Sequence, residues 1–131
     1  MKVHNVHERE LAATPEAVAA LFADMGQLWP TPTFPAPEPE GDLLRLGPML
    51  WQPVERAGAA RAYAIVGPQE FPASHWFEVD KGSSGGTTTL RHTVEGEAVG
   101  DFEPIWRERV EPMHNAYIEA MFDRAQEALA S

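Results

Sequence analysis

The sequence predicts an α+β fold in which an antiparallel sheet packs against a long C-terminal helix. Three observations carry this reading. Residues 42–97 fall into short strand-like runs separated by Gly, Pro and Ser, the spacing of a meander. The last thirty residues, "DFEPIWRERVEPMHNAYIEAMFDRAQEALAS", change to a helical period. Near the other end, "TPEAVAALFADM" has the capping pattern of a helix start.

In order along the chain, residues 2–11 alternate only roughly, which predicts a strand but not which of its faces is inside. In the next segment Thr14 can cap, Pro15 suits the first helical position and Glu16 favours the positive end of the dipole. Val18, Leu21, Phe22 and Met25 form one apolar face, and Gly26 is expected to end the helix. "QLW" adds a second short helical turn before Pro30. Prolines at 30, 32, 35, 37 and 39 then exclude helix and inner strand, so segment 30–41 reads as an extended surface loop, with a lid as its functional alternative.

The strand runs are "DLLRL", "MLWQPVER", "ARAYAIV", "ASHWFEV" and "TTTLRHTVEG". Pro53 inside one of them predicts an edge or a bulge. Gly82, Gly85 and Gly86 form a hairpin-type loop, without the strand–loop–helix context of a phosphate site. In the terminal helix Asp101 stands at or just before the cap, and Pro112 predicts a kink or break near Val110–Met113. A 3.6-residue projection places Trp106, Val110, Met113, His114, Tyr117 and Met121 on one face, with Glu108, Asn115, Glu119 and Asp123 mostly elsewhere.

Composition narrows the function classes. The chain has 131 residues, expected to form one domain over 1–131. It is 44% hydrophobic and 23% charged, an ordinary globular balance. A net charge of −10 repels nucleic-acid phosphates and anionic membrane surfaces, so neither is an expected partner. There is no cysteine, which excludes disulfides and thiolate metal sites and makes a reducing cytoplasm the expected location. No apolar run approaches the ~20 residues that cross a bilayer, and the N-terminus lacks a signal-peptide apolar region.

The order of elements, with the segments "LAATPEAVAALFADMGQLWP", "GGTTTLRHTVEG" and "EPMHNAYIEAMFDRAQEAL", resembles the START-like, or Bet v 1-like, superfamily. Many of its bacterial members are labelled polyketide cyclase/dehydrase or SRPBCC proteins. The resemblance covers nearly the whole chain. It implies a helix-grip fold: a curved antiparallel sheet wrapped around the C-terminal helix, two short helices after the first strand, and a cavity between sheet and helix. It also implies a small apolar guest such as a lipid, polyketide or aromatic molecule, and in some members cyclisation or dehydration.

Two strands carry histidines where alternation asks for apolar residues. His75 shares a side with Phe77 and Val79, and His92 with Leu90 and Val94. A one-residue slip would bury Arg91, which costs far more than a neutral imidazole. If that face lines the implied cavity, His75 and His92 point into it and His114 faces them from the helix. Phe22, Phe77, Leu90, Trp106, Val110, Met113, Tyr117 and Met121 are then the candidate lining. Glu103 and Arg107 are expected near the mouth.

Three roles suit the histidines. The first is structural, each ring bonded to a buried partner. The second is recognition of a carbonyl or hydroxyl on an apolar guest. The third is acid–base catalysis by His75, His92 and His114, as in a polyketide cyclase or dehydratase, with Tyr117 or Arg107 at the oxyanion. Whether the chain is an enzyme stays open. The dispersed histidines match no local metal motif, so no metal and no cofactor is expected. His4 and His7 receive no functional reading. An outward Trp76, beside an outward Glu78, suggests a possible homodimer surface.

Overall fold

The computed structural model describes residues 1–130. Strand β1 (Lys2–Leu11) leads into helix α1 (Pro15–Ala20). The Thr14 hydroxyl accepts the Ala17 N–H at 3.2 Å, and Pro15 occupies the first turn. The α-helix stops before Met25. After Ala20 the chain tightens into 3₁₀ turns at Leu21–Ala23 and Met25–Gln27. Asp24 is extended between them, and its carboxylate accepts the Gly26 N–H at 3.0 Å, a local bond that competes with helix continuation.

Strands β2 (Glu38–Glu40), β3 (Leu43–Leu46), β4 (Met49–Val54), β5 (Arg61–Gly67), β6 (Ala73–Lys81) and β7 (Thr88–Glu97) join β1 in one antiparallel sheet of order β1-β7-β6-β5-β4-β3-β2. The sheet is curved and does not close. The end of the proline-rich segment is thus a strand rather than loop. Pro39 sits opposite Leu44, and β2 tolerates its missing N–H because it is an edge. Pro53 faces Tyr63 on β5 but lies beyond the last β3 partner of β4, Trp51, and the ladder shifts register between Leu50 and Trp51. Of the edge or bulge read from that proline, the local edge is what the structure places at Pro53; the irregularity lies earlier, between Leu50 and Trp51, where Val66 of β5 is skipped.

The C-terminal helix is continuous through α2 (Phe102–Ile105), a π turn (Trp106–Val110) and α3 (Glu111–Ala130). Asp101 is its N-cap residue, although its side chain makes no capping bond. Of the kink or break expected near Val110–Met113, the break does not occur, and the helical disturbance is a π turn just before Pro112. In the widened turn before it the Glu111 N–H reaches back to the Trp106 carbonyl. That widening includes Glu108, whose carbonyl would otherwise meet the proline ring.

Two apolar clusters hold the helix to the sheet. In one, Tyr117, Ile118, Met121, Phe122 and Ala125 pack with Val18, Leu21 and Phe22 against Leu11, Phe77 and Leu90. In the other, Phe102 and Trp106 meet Trp51, Tyr63, Ile65, Phe71 and Val94. On the outer face Trp76 points away from the helix, yet it is only 7% exposed. The Arg56 guanidinium lies 3.5 Å from its ring centroid, and its indole N–H donates to Glu78 at 2.8 Å. The aromatic residue read as a dimer surface is therefore covered by its own chain.

Candidate functional site

Between the clusters, helix and sheet diverge around a cavity of about 550 Å³. Its floor is the inner face of β4–β7, with Trp51, Tyr63, His75, Phe77, His92 and Val94. Phe34 and Pro35 of the proline-rich loop form a side wall, where the Tyr117 O–H donates to the Pro35 carbonyl at 2.9 Å and the Phe34 ring packs edge-on to Tyr117. Burial pushes the Tyr117 hydroxyl's pKa up, so it remains a neutral donor. The cavity opens between the exposed Gly47–Pro48 turn and Ile105, Arg109 and Met113 of the helix.

Helical lining residues fall in pairs four apart: 105 and 106, 109 and 110, 113 and 114, 117 and 118. The later pairs lie in α3, where residues four apart share a face, and the π turn, with more residues per turn than an α-helix, carries the same spacing back through 109–110 to 105–106. Among the sequence candidates, Phe77, Trp106, Val110, Met113, Tyr117 and Met121 line the space, as do all three histidines. Met113 does so from the rim, 58% exposed. Phe22 and Leu90 lie behind the wall in the solid core, with the Phe22 ring 5.0 Å from Phe77. Glu103 and Arg107 do not reach the cavity. They pair with each other at 3.7 Å on the surface, and the shifted register turns Arg109 toward the opening instead.

The β6–β7 register sets His92 opposite Phe77 and His75 opposite Val94. His75 Nδ1 and His92 Nε2 are 3.2 Å apart, and the His114 ring lies 5.1 Å from His92. The His75 ring is stacked on Tyr63 and meets Trp51 edge-on. Burial, followed by the nearby His114, pushes the His75 pKa down to about 3. Burial and then His7 bring His114 to about 3, and burial holds His92 well below its ordinary value. All three rings are neutral at pH 7. Among the described residues, His75 Nε2, His92 Nδ1 and His114 Nε2 have no hydrogen-bond partner. Whichever of His75 and His92 donates to the other, the pair retains one N–H and one lone pair.

Sequence reading missed the polar side of the site. Asn5, His7 and Arg9 of β1 face the helix. His7 Nδ1 is 2.7 Å from Glu119 and its Nε2 is 2.9 Å from Asn115. The His7 ring also stands 5.9 Å from His114. Arg9 bonds Asp123 at 2.6 Å and Glu119 at 3.0 Å, and Asn5 donates to Asn115 and Glu111. The signal was a period of four polar residues, Glu111, Asn115, Glu119 and Asp123, beside alternate polar residues on β1. Among the described residues no three His, Cys, Asp or Glu side chains form a metal-binding group.

No family model and no curated protein matches the sequence. Solved structures do match. Norcoclaurine synthase from Thalictrum flavum, in complex with dopamine and hydroxybenzaldehyde, is 16% identical with a TM-score of 0.68, over 98% of this chain and 88% of that one. A START superfamily protein from Mycobacterium smegmatis is 11% identical with a TM-score of 0.64, over 96% and 98%. XoxI from Bacillus cereus is 15% identical with a TM-score of 0.67, over 96% and 94%. The chain has the START-like, or Bet v 1-like, helix-grip fold. Among the described residues no helix is long and apolar enough to cross a membrane.

Proposed function

We propose that this protein binds a small apolar molecule between its sheet and its C-terminal helix. The cavity carries this reading: about 550 Å³ is within the ~300–1,000 Å³ range of small-molecule sites, and its walls are mostly aromatic and aliphatic. That the structurally similar norcoclaurine synthase is seen with two small aromatic molecules supports an aromatic guest. The depressed histidine pKa values weigh against the cyclase or dehydratase alternative, because a general acid or base works best with a pKa near the working pH. Neutral imidazoles suit recognition of a carbonyl or hydroxyl. The absence of cysteine favours a reducing compartment such as the cytoplasm.

The test is native mass spectrometry of the purified protein, followed by calorimetry with any molecule released, on wild type and on Val110→Trp. Val110 is only partly buried and lines the cavity, so the larger ring fills space there. Retained folding with binding lost is the expected result. Unchanged binding in Val110→Trp would place the guest elsewhere.

A further inference from the structure

Among the described residues lining the cavity, Arg109 is the one that carries a formal charge. It is exposed, and among the described residues its side chain has no ion pair or hydrogen bond, whereas Arg107, two positions earlier, is paired with Glu103. An unpaired cation is conspicuous on a chain with net charge −10, where carboxylates outnumber Lys and Arg by twenty to ten. It stands one turn from Ile105 and one from Met113, which are 39% and 58% exposed, so a cation and apolar surface share one rim. The interior has the opposite character. Its polar side chains are tyrosine hydroxyls, imidazoles and tryptophan indoles, with no cation among them to balance a buried anion.

We propose that the ligand is an amphipathic carboxylic acid, bound with its apolar body inside the cavity and its carboxylate at Arg109. This rests on the reading of the cavity as a small-molecule site. Burial cost sets the orientation: the charged end stays at the wet rim, where a guanidinium can take it bidentately, and the apolar end replaces water inside. Any second polar group on the inner end is an uncharged hydroxyl or carbonyl, matched to the donor and acceptor left on the His75–His92 pair.

Calorimetry on the full chain with phenylhexanoate and its uncharged analogue phenylhexanol tests this. The proteins are wild type, Arg109→Gln and Arg107→Gln, the last removing the same charge outside the cavity. Arg109→Gln is expected to weaken the acid about threefold to tenfold and to leave the alcohol within about twofold. Arg107→Gln should move neither ligand by more than about twofold. Added salt should weaken the acid and spare the alcohol. If Arg109→Gln leaves the acid unchanged, or both glutamine variants weaken it equally, the head-group assignment is wrong. If the alcohol binds and the acid does not, that assignment falls while the cavity reading stands. Failure of both ligands, together with no guest found by native mass spectrometry, removes both.

Discussion

The two flanks of the C-terminal helix meet the sheet in opposite ways. Toward β1 the contact is polar. Asn5, His7 and Arg9 meet Glu111, Asn115, Glu119 and Asp123, each bonded across the seam. Toward β4–β6 the facing groups are apolar or neutral imidazole, and they stand apart around the cavity. The contrast extends to the histidines. Both nitrogens of His7 have partners, whereas His75, His92 and His114 each retain a nitrogen without one. A helix anchored by hydrogen bonds along one edge and by solid packing at its C-terminal end does not need close packing on the other edge. The fold can therefore keep an internal space without losing its closure.

The largest expected effect tests the division between solid and hollow ends. Phe122 is 0% exposed and packed in the dense cluster. Phe122→Ala should cost about 3–5 kcal/mol, the usual range for a buried ring replaced by a void. Met113→Ala, on the exposed rim, should change stability by less than ~0.5 kcal/mol. Urea denaturation of both variants measures the difference. Equal costs would mean that the rim and the dense end are held alike.

Acid should act next, through the histidines on the hollow side. Their folded pKa values lie below the ordinary value of ~6.5, at about 3 for His75 and His114. Below pH ~6.5 the unfolded chain takes up protons that the folded chain refuses. The stability they contribute is full above that pH, falls as pH drops, and stops falling near pH 3, where the folded rings titrate. At pH 5.5 each ring should have cost ~1 kcal/mol or slightly more, roughly 3–4 kcal/mol for the three. Carboxylates are still ionised there, so urea melts at pH 7.5 and pH 5.5 read the imidazoles rather than the acids, and the same pair of melts on His75→Phe should show a smaller drop. Equal stability at the two values would show that these rings accept protons in the folded state.

The same contrast explains what the sequence made readable. On β6 and β7 one face is plainly apolar, so parity placed His75 and His92 inward with Phe77, Leu90 and Val94. On β1 the inward residues include Asn5, His7 and Arg9, while Val6 faces outward and is exposed, so alternation gave no direction. The helical stripe of Glu111, Asn115, Glu119 and Asp123 resembles a solvated face until β1 is set beside it. The π turn was also hidden. Pro112 signalled a disturbance, but the sequence did not show that widening the turn would absorb it and aim Arg109, rather than Arg107, at the opening.

The smallest expected effect concerns the seam itself. His7 and Glu119 approach to 2.7 Å, a short contact that invites a large energy. Burial alone would raise the Glu119 carboxyl, but hydrogen bonds from His7 and Arg9 outweigh it and hold its pKa below the usual value. About half of the Glu119 side chain nevertheless remains in contact with solvent, which screens the pair. Arg9 also bonds the same carboxylate, so Glu119 is not left alone when His7 is removed. A double-mutant cycle with His7→Ala and Glu119→Gln at pH 7 should therefore give a coupling of ~0.2–1 kcal/mol, declining in high salt. A coupling above ~2 kcal/mol would make this contact as important as a buried core residue. The seam would then fix the helix by a few strong bonds rather than by many weak ones along its length.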